Sequence, residues 1–395
     1  MQIAFFVLGF LLFVGLVLVH EWGHYFAARR ARVKVEEFGL GFPPRAWGRK
    51  RKDGMILSLN WLPIGGFVKL KGEHDADKAK GSFGAASTRG KIKILLAGVT
   101  MNFLVGLLML TILAVVGMPK LLTAENVGQE QFTVKSDTTI AQQFVQAGYV
   151  QPGSPAEKAG IGGRDLITRI ISGSDSREIK TAKQLQETTK AFAGQNVTII
   201  YKHNGHELAE PVTLLSVSEV ETSKKDEEPK GYLGVSPNEL TIQRSTWSAP
   251  VVAIGFTKQL VELTLKGIAR AFAGLGSIVA GGVTGNQEAR QAGHEKATSQ
   301  VGGPVAILAI LWGSGSLGIY FILFIIAVLS LTLALINILP IPALDGGRLF
   351  VIGLSRLVKG RPFSPTIEDR IHSTGMAILL TLFVLITIVD VRRFF

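Results

Sequence analysis

The 395-residue chain carries 42 Lys and Arg against 30 Asp and Glu, and 47% of its residues are hydrophobic. It contains no cysteine, which excludes disulfides, thiol nucleophiles and cysteine-ligated metals, so any metal must be held by histidines and carboxylates. Long uncharged runs recur along the chain, and they indicate a membrane protein rather than a purely soluble one.

The first apolar run ends in a candidate metal motif. Ile3–Val19 is a stretch of 17 residues without a charge, and His20-Glu21-x-x-His24 follows it directly. Residues four apart share one face of a helix, so His20 and His24 can hold one Zn²⁺ while Glu21 serves a water molecule as general base. Ionisable groups at membrane depth are expensive, which favours a functional site over the alternative of a membrane anchor with a polar flank.

A basic segment follows this run. Between Arg29 and Lys93 there are 16 Lys and Arg against six Asp and Glu, a surplus typical of a cytoplasmic loop between two spans. That explanation is simpler than a nucleic-acid partner, and we predict none. Within the segment, Arg32–Phe42 and Met55–Leu70 predict a β-hairpin against the cytoplasmic membrane face. Its edge can take up an extended peptide, although a merely structural hairpin is an equal alternative.

Four segments are long and apolar enough to predict transmembrane helices. A further uncharged stretch, Val301–Ser316, is expected to enter or line the membrane before the third span. Asn102 lies inside the second span, where a lone Asn is typically a helix–helix hydrogen bond. The predicted spans are 3–30, Ile94–Met118, a third from about Leu317, and Ile371–Val389.

The middle of the chain is polar enough to be soluble. Residues 140–220 predict a compact β-rich module, because short strand-like runs alternate there with turn signals. Residues 221–300 are interpreted as a linker, followed by a pair of amphipathic helices over Trp247–Gly282 that lie on the membrane and a polar loop over Gly285–Gln300.

The third span ends in a second candidate motif that runs from Asn337 through Pro340 and Pro342 to Asp345. Two prolines break the helix while the chain is still apolar, and a carboxylate follows. An Asp at membrane depth costs about 2.5–3.5 kcal/mol, so Asp345 needs a partner such as a cation; an Asp that faces water at the interface is the alternative. Two histidines and one carboxylate leave the fourth position of zinc open, which is the catalytic pattern.

Topology supports this pairing. The first and third spans run in the same direction, so their C-terminal ends lie in the same leaflet. Basic residues follow both ends, which predicts that the candidate metal site lies near the cytoplasmic face and that the β-rich module lies outside.

These residues match one known family. His20-Glu21-x-x-His24 and Asn337-x-x-Pro340-x-Pro342-x-Leu344-Asp345-Gly346 resemble the two metal motifs of the site-2 protease family of intramembrane zinc metalloproteases, in particular the bacterial branch that contains the regulator of sigma-E protease. Three further segments resemble that family's membrane-associated β-loop, its second-span motif and its segment before the third span. They are Leu62–Lys69, Ala97-Gly98-x-x-x-Asn102-Phe103 and Val301-Gly302-Gly303-Pro304.

The resemblance implies a polytopic α-helical membrane protein with about four transmembrane helices, an inserted extracytoplasmic PDZ-like α+β domain and a cytoplasmic membrane-associated β-hairpin. We therefore expect an N-terminal membrane part over 1–119 and a PDZ-like domain over 140–220. A linker with surface helices is expected over 221–300, and a C-terminal membrane part over 301–395.

The resemblance also implies a function. The chain is expected to be an intramembrane zinc metalloprotease of the bacterial cytoplasmic (inner) membrane, acting in regulated intramembrane proteolysis. It is expected to hydrolyse peptide bonds within or near the transmembrane segment of single-span membrane proteins, of the anti-sigma factor or remnant signal peptide type. Expected partners are these substrates, the lipid bilayer and a site-1 type protease that cuts the same substrate first.

The resemblance finally implies roles for named residues. His20, His24 and Asp345 are the expected Zn²⁺ ligands, and Glu21 and Asn337 are the expected catalytic residues. The expected substrate-binding residues are Gly65, Gly66, Phe67 and Val68. The alternative function is a non-catalytic membrane scaffold whose PDZ module binds peptides.

Overall fold

The computed structural model describes residues 2–123, 127–224, 229–284, 287, 303–315 and 317–394. The chain divides into two compact units, each with a β-sheet of its own. One is built mainly from 111–255, and the other from 7–110, 256–311 and 325–395. The predicted polar loop Gly285–Gln300 lies outside the described residues, apart from residue 287.

Four helices of the described chain are long and apolar enough to cross a membrane, as the sequence predicts. In chain order the described helices are α1 (Gln2–Arg30), α2 (Thr88–Val116), α3 (Pro155–Lys158), α4 (Ala182–Ala191), α5 (Val217–Ser223), α6 (Ala249–Thr284), α7 (Pro304–Gly315), α8 (Ile319–Ile338), α9 (Asp345–Lys359) and α10 (Pro365–Phe394). The four membrane-length helices are α1, α2, α8 and α10.

Nine strands accompany these helices in the described residues. They are β1 (Val35–Lys50), β2 (Ile56–Leu70), β3 (Met118–Lys120), β4 (Thr139–Val150), β5 (Leu166–Ser172), β6 (Asp175–Glu178), β7 (Asn196–His203), β8 (His206–Thr213) and β9 (Val235–Arg244).

The predicted hairpin is present and is folded back on itself. The first half of β1 lies between the two halves of β2, because Gly39 pairs with both Ser58 and Phe67. The segment 66–70 is therefore an outer strand of this sheet. One face of the sheet is buried in a core with the end of α1 and the start of α2, and this core includes Ala28, Val35, Met55, Leu70, Phe83 and Ile94.

The second sheet has seven antiparallel strands in the order β3-β9-β4-β5-β7-β8, with β6 beside β5. Its helix α4 begins with a capping box between Thr181 and Gln184, and its β7–β8 hairpin turns at Asn204-Gly205 with both φ angles positive. The sheet extends beyond the predicted limits of 140–220, because β9 pairs with β4 along its whole length. The predicted linker therefore contributes a central strand.

The segment after β9 forms one helix where the sequence predicts a pair. α6 runs for 36 residues from Ala249 to Thr284. Pro250 lies in its first turn, where proline is tolerated, and no later proline interrupts the helix.

A buried carboxylate, Asp75, ties three helices of the second unit together. It binds Lys91 of α2 and accepts a hydrogen bond of 2.9 Å from Arg356 of α9. Its backbone N–H donates to Glu368 of α10 at 3.1 Å. The side chains of Asp75 and Lys91 are 3% and 4% exposed, so each charge depends on the other for stabilisation.

Replacing Asp75 by Ala is expected to lower the free energy of unfolding by about 3–5 kcal/mol, because the Lys91 ammonium is left buried and unpaired. The measurement is thermal or denaturant unfolding of the purified protein in detergent. Asp369→Ala is the control: its 2.8 Å pair with His74 is largely exposed, and its loss is expected to cost less than about 1 kcal/mol. Equal effects of the two variants would contradict the assignment of Asp75 as the buried tie.

Candidate metal centre

Two of the expected ligands lie on successive turns of α1. His20 and His24 are four residues apart, so their rings lie on the same helix face. Their Nε2 atoms are 3.2 Å apart. Both side chains are 12% exposed, so the pair is well shielded from solvent.

The third expected ligand, Asp345, is the first residue of α9. The chain leaves α8 after Ile338, passes through Pro340 and Pro342, and enters α9 at Asp345. Its carboxylate Oδ2 lies 3.2 Å from Nε2 of His20 and 3.2 Å from Nε2 of His24. The structure therefore brings the three predicted ligands together, although Asp345 lies 321 residues after His24 in the sequence.

The two glycines after Asp345 allow this turn. A Cβ on Gly346 would lie 2.1 Å from the carbonyl oxygen of Ile338, and one on Gly347 would lie 1.9 Å from that of Ile341. No side chain fits at such distances. The Asp-Gly-Gly sequence thus lets α9 begin directly against the backbone that precedes it, with the carboxylate aimed at α1.

The three ligand atoms form a triangle with sides of 3.2 Å. Zinc–nitrogen and zinc–oxygen bonds of about 2.0–2.1 Å at tetrahedral angles place two ligands about 3.3 Å apart, close to the observed spacing. Within the described residues, the buried Oδ2 of Asp345 makes no hydrogen bond. An orphaned buried carboxylate oxygen between two imidazole nitrogens fits a shared divalent cation.

Helix α2 closes the site on one side. A Cβ on Gly23 would lie 2.5 Å from the carbonyl oxygen of Ala97, so α1 and α2 approach closely only because residue 23 is glycine. At Gly98 a Cβ would lie 2.4 Å from Nε2 of His24 and 2.7 Å from Nε2 of His20. The absence of a side chain at Gly98 leaves Nε2 of both histidines unobstructed.

Helix α2 also orients the ring of His24. Nδ1 of His24 lies 2.8 Å from the carbonyl oxygen of Ile94, which can only accept a hydrogen bond. Nδ1 must therefore carry the proton, and Nε2 presents its lone pair to the site. This arrangement is typical of metal-binding histidines.

The predicted base and the predicted substrate strand meet at the same place. Glu21 interacts electrostatically with both histidines and with Asp345, and the backbone amide of Val68 interacts with its carboxylate. A Cβ on Gly66 would lie 3.1 Å from Cγ of Glu21. The neighbouring residues of the predicted strand pack within the sheet, Gly65 against the ring of Phe42 and Phe67 against Gly39.

Asn337 does not join the cluster. It lies half-buried in the last turn of α8, eight residues before Asp345. In the described part of the chain, no hydrogen bond links its side chain to His20, His24 or Asp345.

Two supporting residues carry no signal in the sequence alone. His372 of α10 accepts a 3.4 Å hydrogen bond from the backbone N–H of Ala343, whose φ of +83° is unfavourable for a residue with a side chain. Gly375 lets α10 approach the same loop, because a Cβ there would lie 2.5 Å from the carbonyl oxygen of Pro342. Helix α10 therefore supports the loop that carries Asp345.

Known proteins are similar to this chain along nearly its whole length. The sequence model of peptidase family M50 matches residues 8–382. Zinc metalloprotease RasP of Shouchella clausii is 26% identical, over 97% of this chain and 98% of the relative. Protease RseP of Yersinia pestis is 24% identical, over 100% of both chains.

Gly98→Ala is expected to weaken zinc binding at least tenfold, because the added methyl group would displace the histidine rings from their common ligand geometry. The measurement is zinc affinity of the purified protein by competition with a chelator. Gly15→Ala is the matched control on α1, since a Cβ at Gly15 has no atom within 4 Å and favours the helix. Wild-type affinity in Gly98→Ala would contradict the placement of the metal beside α2.

Proposed function

This chain belongs to peptidase family M50 and is a zinc metalloprotease, and we propose that His20, His24 and Asp345 hold its zinc ion. The observation that carries the proposal is the 3.2 Å triangle of their ligand atoms. It unites residues from two helices that are both needed to complete one site, and these side chains are the only described group of three or more His, Cys, Asp or Glu with metal-binding spacing.

The proposed reaction is hydrolysis of a peptide bond. His20, His24 and Asp345 would hold a zinc ion that supplies Lewis-acid polarisation of the scissile carbonyl and a lower pKa for the attacking water. Glu21 takes the proton of that water and returns it to the leaving amine. Its position beside both histidines and Asp345 supports this role, because a general base must lie within reach of the water that the metal activates.

The proposed substrate strand binds beside Glu21. A transmembrane helix uses its carbonyls in its own hydrogen bonds, so a scissile bond becomes accessible only in an unwound, extended segment. The outer strand 66–70 has β1 on one side, and β-addition on its other side would hold such a segment extended. Gly65, Gly66, Phe67 and Val68 are therefore our proposed substrate-binding residues.

Asn337 is proposed as a second catalytic residue. Its amide can donate a hydrogen bond to the developing oxyanion or to the substrate backbone. Its place at the end of α8, close in sequence to Asp345, supports this proposal, and engagement requires the substrate to be present.

The proposed substrates are single-span membrane proteins of the anti-sigma factor or remnant signal peptide type, cut in regulated intramembrane proteolysis. The basic segment 29–93 supports a site near the cytoplasmic face of the bacterial inner membrane, with the seven-stranded module, proposed as PDZ-like, outside. A site-1 type protease would first trim the outer part of the substrate.

The alternative is a membrane scaffold in which the seven-stranded module binds peptides and the metal is structural. A scaffold needs no general base, so a substitution at Glu21 distinguishes the two functions. The complete set of Glu21 and three ligands beside an open strand favours the protease.

Glu21→Gln is expected to bind zinc like wild type and to lower peptide-bond hydrolysis by about 10²–10⁴-fold, because the amide cannot accept the proton. The assay presents a tagged single-span substrate, with its outer domain already removed, to the purified proteins in liposomes. Zinc content is measured on the same samples.

Glu36→Gln is the matched control, since it makes the same change of charge at a half-exposed carboxylate on β1. It is expected to cleave like wild type. Cleavage by Glu21→Gln at the wild-type rate would overturn the role of Glu21. Zinc-loaded wild type that cleaves no single-span substrate would favour the scaffold.

A further inference from the structure

Asn102 lies against the ring nitrogen of His20 that faces away from the metal site. It belongs to α2, one helical turn after Gly98, and its side chain is buried with 1% of the residue exposed. Its Nδ2 is 3.4 Å from Nδ1 of His20. Its Oδ1 is buried and has no hydrogen-bond partner among the described residues.

This arrangement leaves two donors facing each other. If Nε2 of His20 presents its lone pair to a metal, the neutral ring must carry its proton on Nδ1. The NH₂ group of Asn102 is also a donor, while its acceptor oxygen is orphaned. The oxygen and nitrogen of an amide have the same shape, so rotating the amide by 180° puts Oδ1 against Nδ1–H of His20. That rotation gives both the orphaned oxygen and the imidazole proton a partner, and it moves the NH₂ group to the position that Oδ1 leaves.

With the amide rotated in this way, helix α2 provides a hydrogen-bond acceptor for each of the two histidine rings. The carbonyl oxygen of Ile94 accepts from Nδ1 of His24. With its amide rotated, Asn102 would place an acceptor oxygen at the position 3.4 Å from Nδ1 of His20 that Nδ2 now holds. Ile94, Gly98 and Asn102 are spaced by four residues and so share one face of α2. The face supplies an acceptor for each ring, with the open space of Gly98 between them.

Asn102 is itself held in place by α8. Its backbone carbonyl accepts a 2.7 Å hydrogen bond from the hydroxyl of Ser330, which is fully buried. One turn further along, a Cβ on Gly106 would lie 2.7 Å from Cγ of Leu331, so the two helices are in close contact. A fixed backbone is what a residue needs if it is to orient another side chain.

We propose that Asn102 is a positioning residue that accepts a hydrogen bond from Nδ1–H of His20 and so directs Nε2 of that ring to the zinc ion. This inference rests on the proposed metal site and goes beyond it, since Asn102 contacts neither metal nor substrate. It gives a further role to Asn102, whose side chain makes the helix–helix hydrogen bond that the sequence predicts.

The test measures zinc affinity of the purified full-length protein by chelator competition. Asn102→Leu keeps the size and removes the acceptor, and we expect 10–100-fold weaker binding. Asn102→Asp keeps an acceptor and is expected to bind zinc within threefold of wild type. Asn102→Ala provides the same information as Asn102→Leu if the branched side chain prevents folding.

Thr100→Val is the matched control on the same helix. Thr100 is exposed, and the one hydrogen bond of its hydroxyl within the described residues goes to the carbonyl of Leu96 in its own helix, so zinc affinity should not change. Unfolding temperatures of the metal-free proteins are recorded alongside, because a purely structural Asn102 would change stability in every variant without separating Asp from Leu.

The outcomes separate this inference from the proposed function. If wild type binds one zinc ion and Asn102→Leu binds it with wild-type affinity, the positioning role is overturned while the metal site stands. If Asn102→Asp and Asn102→Leu weaken binding equally, the acceptor role is likewise overturned. If wild type binds no zinc, the proposed ligand set fails, and the positioning role fails with it.

Discussion

A carboxylate oxygen and two imidazole nitrogens lie 3.2 Å from one another inside the unit built from 7–110, 256–311 and 325–395, and the surrounding structure holds them there. These atoms do not satisfy one another: Nε2 of His24 presents a lone pair, and Oδ2 of Asp345 is buried without a hydrogen bond in the described chain. An unpaired buried polar atom is destabilising, and an unpaired buried charge more so. A cation shared by all three side chains would remove that cost. The need to pair these buried atoms with a positive charge is therefore the electrostatic constraint on which the site depends.

Glycines allow the close approach of helices that brings these three atoms together. In a helix a glycine is destabilising by roughly 0.5–1 kcal/mol relative to alanine, yet four of them surround the site. Gly23 and Gly98 let α1 and α2 approach at the histidines, and Gly346 and Gly347 let α9 begin against the end of α8. A Cβ added at any of these four positions would lie within 3 Å of backbone or ligand atoms. The proposed ligands can therefore come together only if these positions keep glycine, despite its lower helix propensity.

The sequence predicts the proposed ligand set because its signals are local or topological. The spacing of His20 and His24 follows from helix geometry, and Asp345 follows from the cost of a charge after an apolar span. The limits of the β module were harder to predict, because the pairing of β9 with β4 joins segments about 90 residues apart. The role of Gly98 and the contact of Asn102 depend on how two helices cross, which no spacing along one helix can supply.

The most direct test of this account is the position of the metal itself. Anomalous diffraction recorded on both sides of the zinc absorption edge, from crystals of the wild-type protein, locates zinc without assuming its ligands. We expect one peak within about 2.0–2.2 Å of Nε2 of His20, Nε2 of His24 and a carboxylate oxygen of Asp345. A peak elsewhere in the chain, or one bound by the two histidines without Asp345, would contradict it.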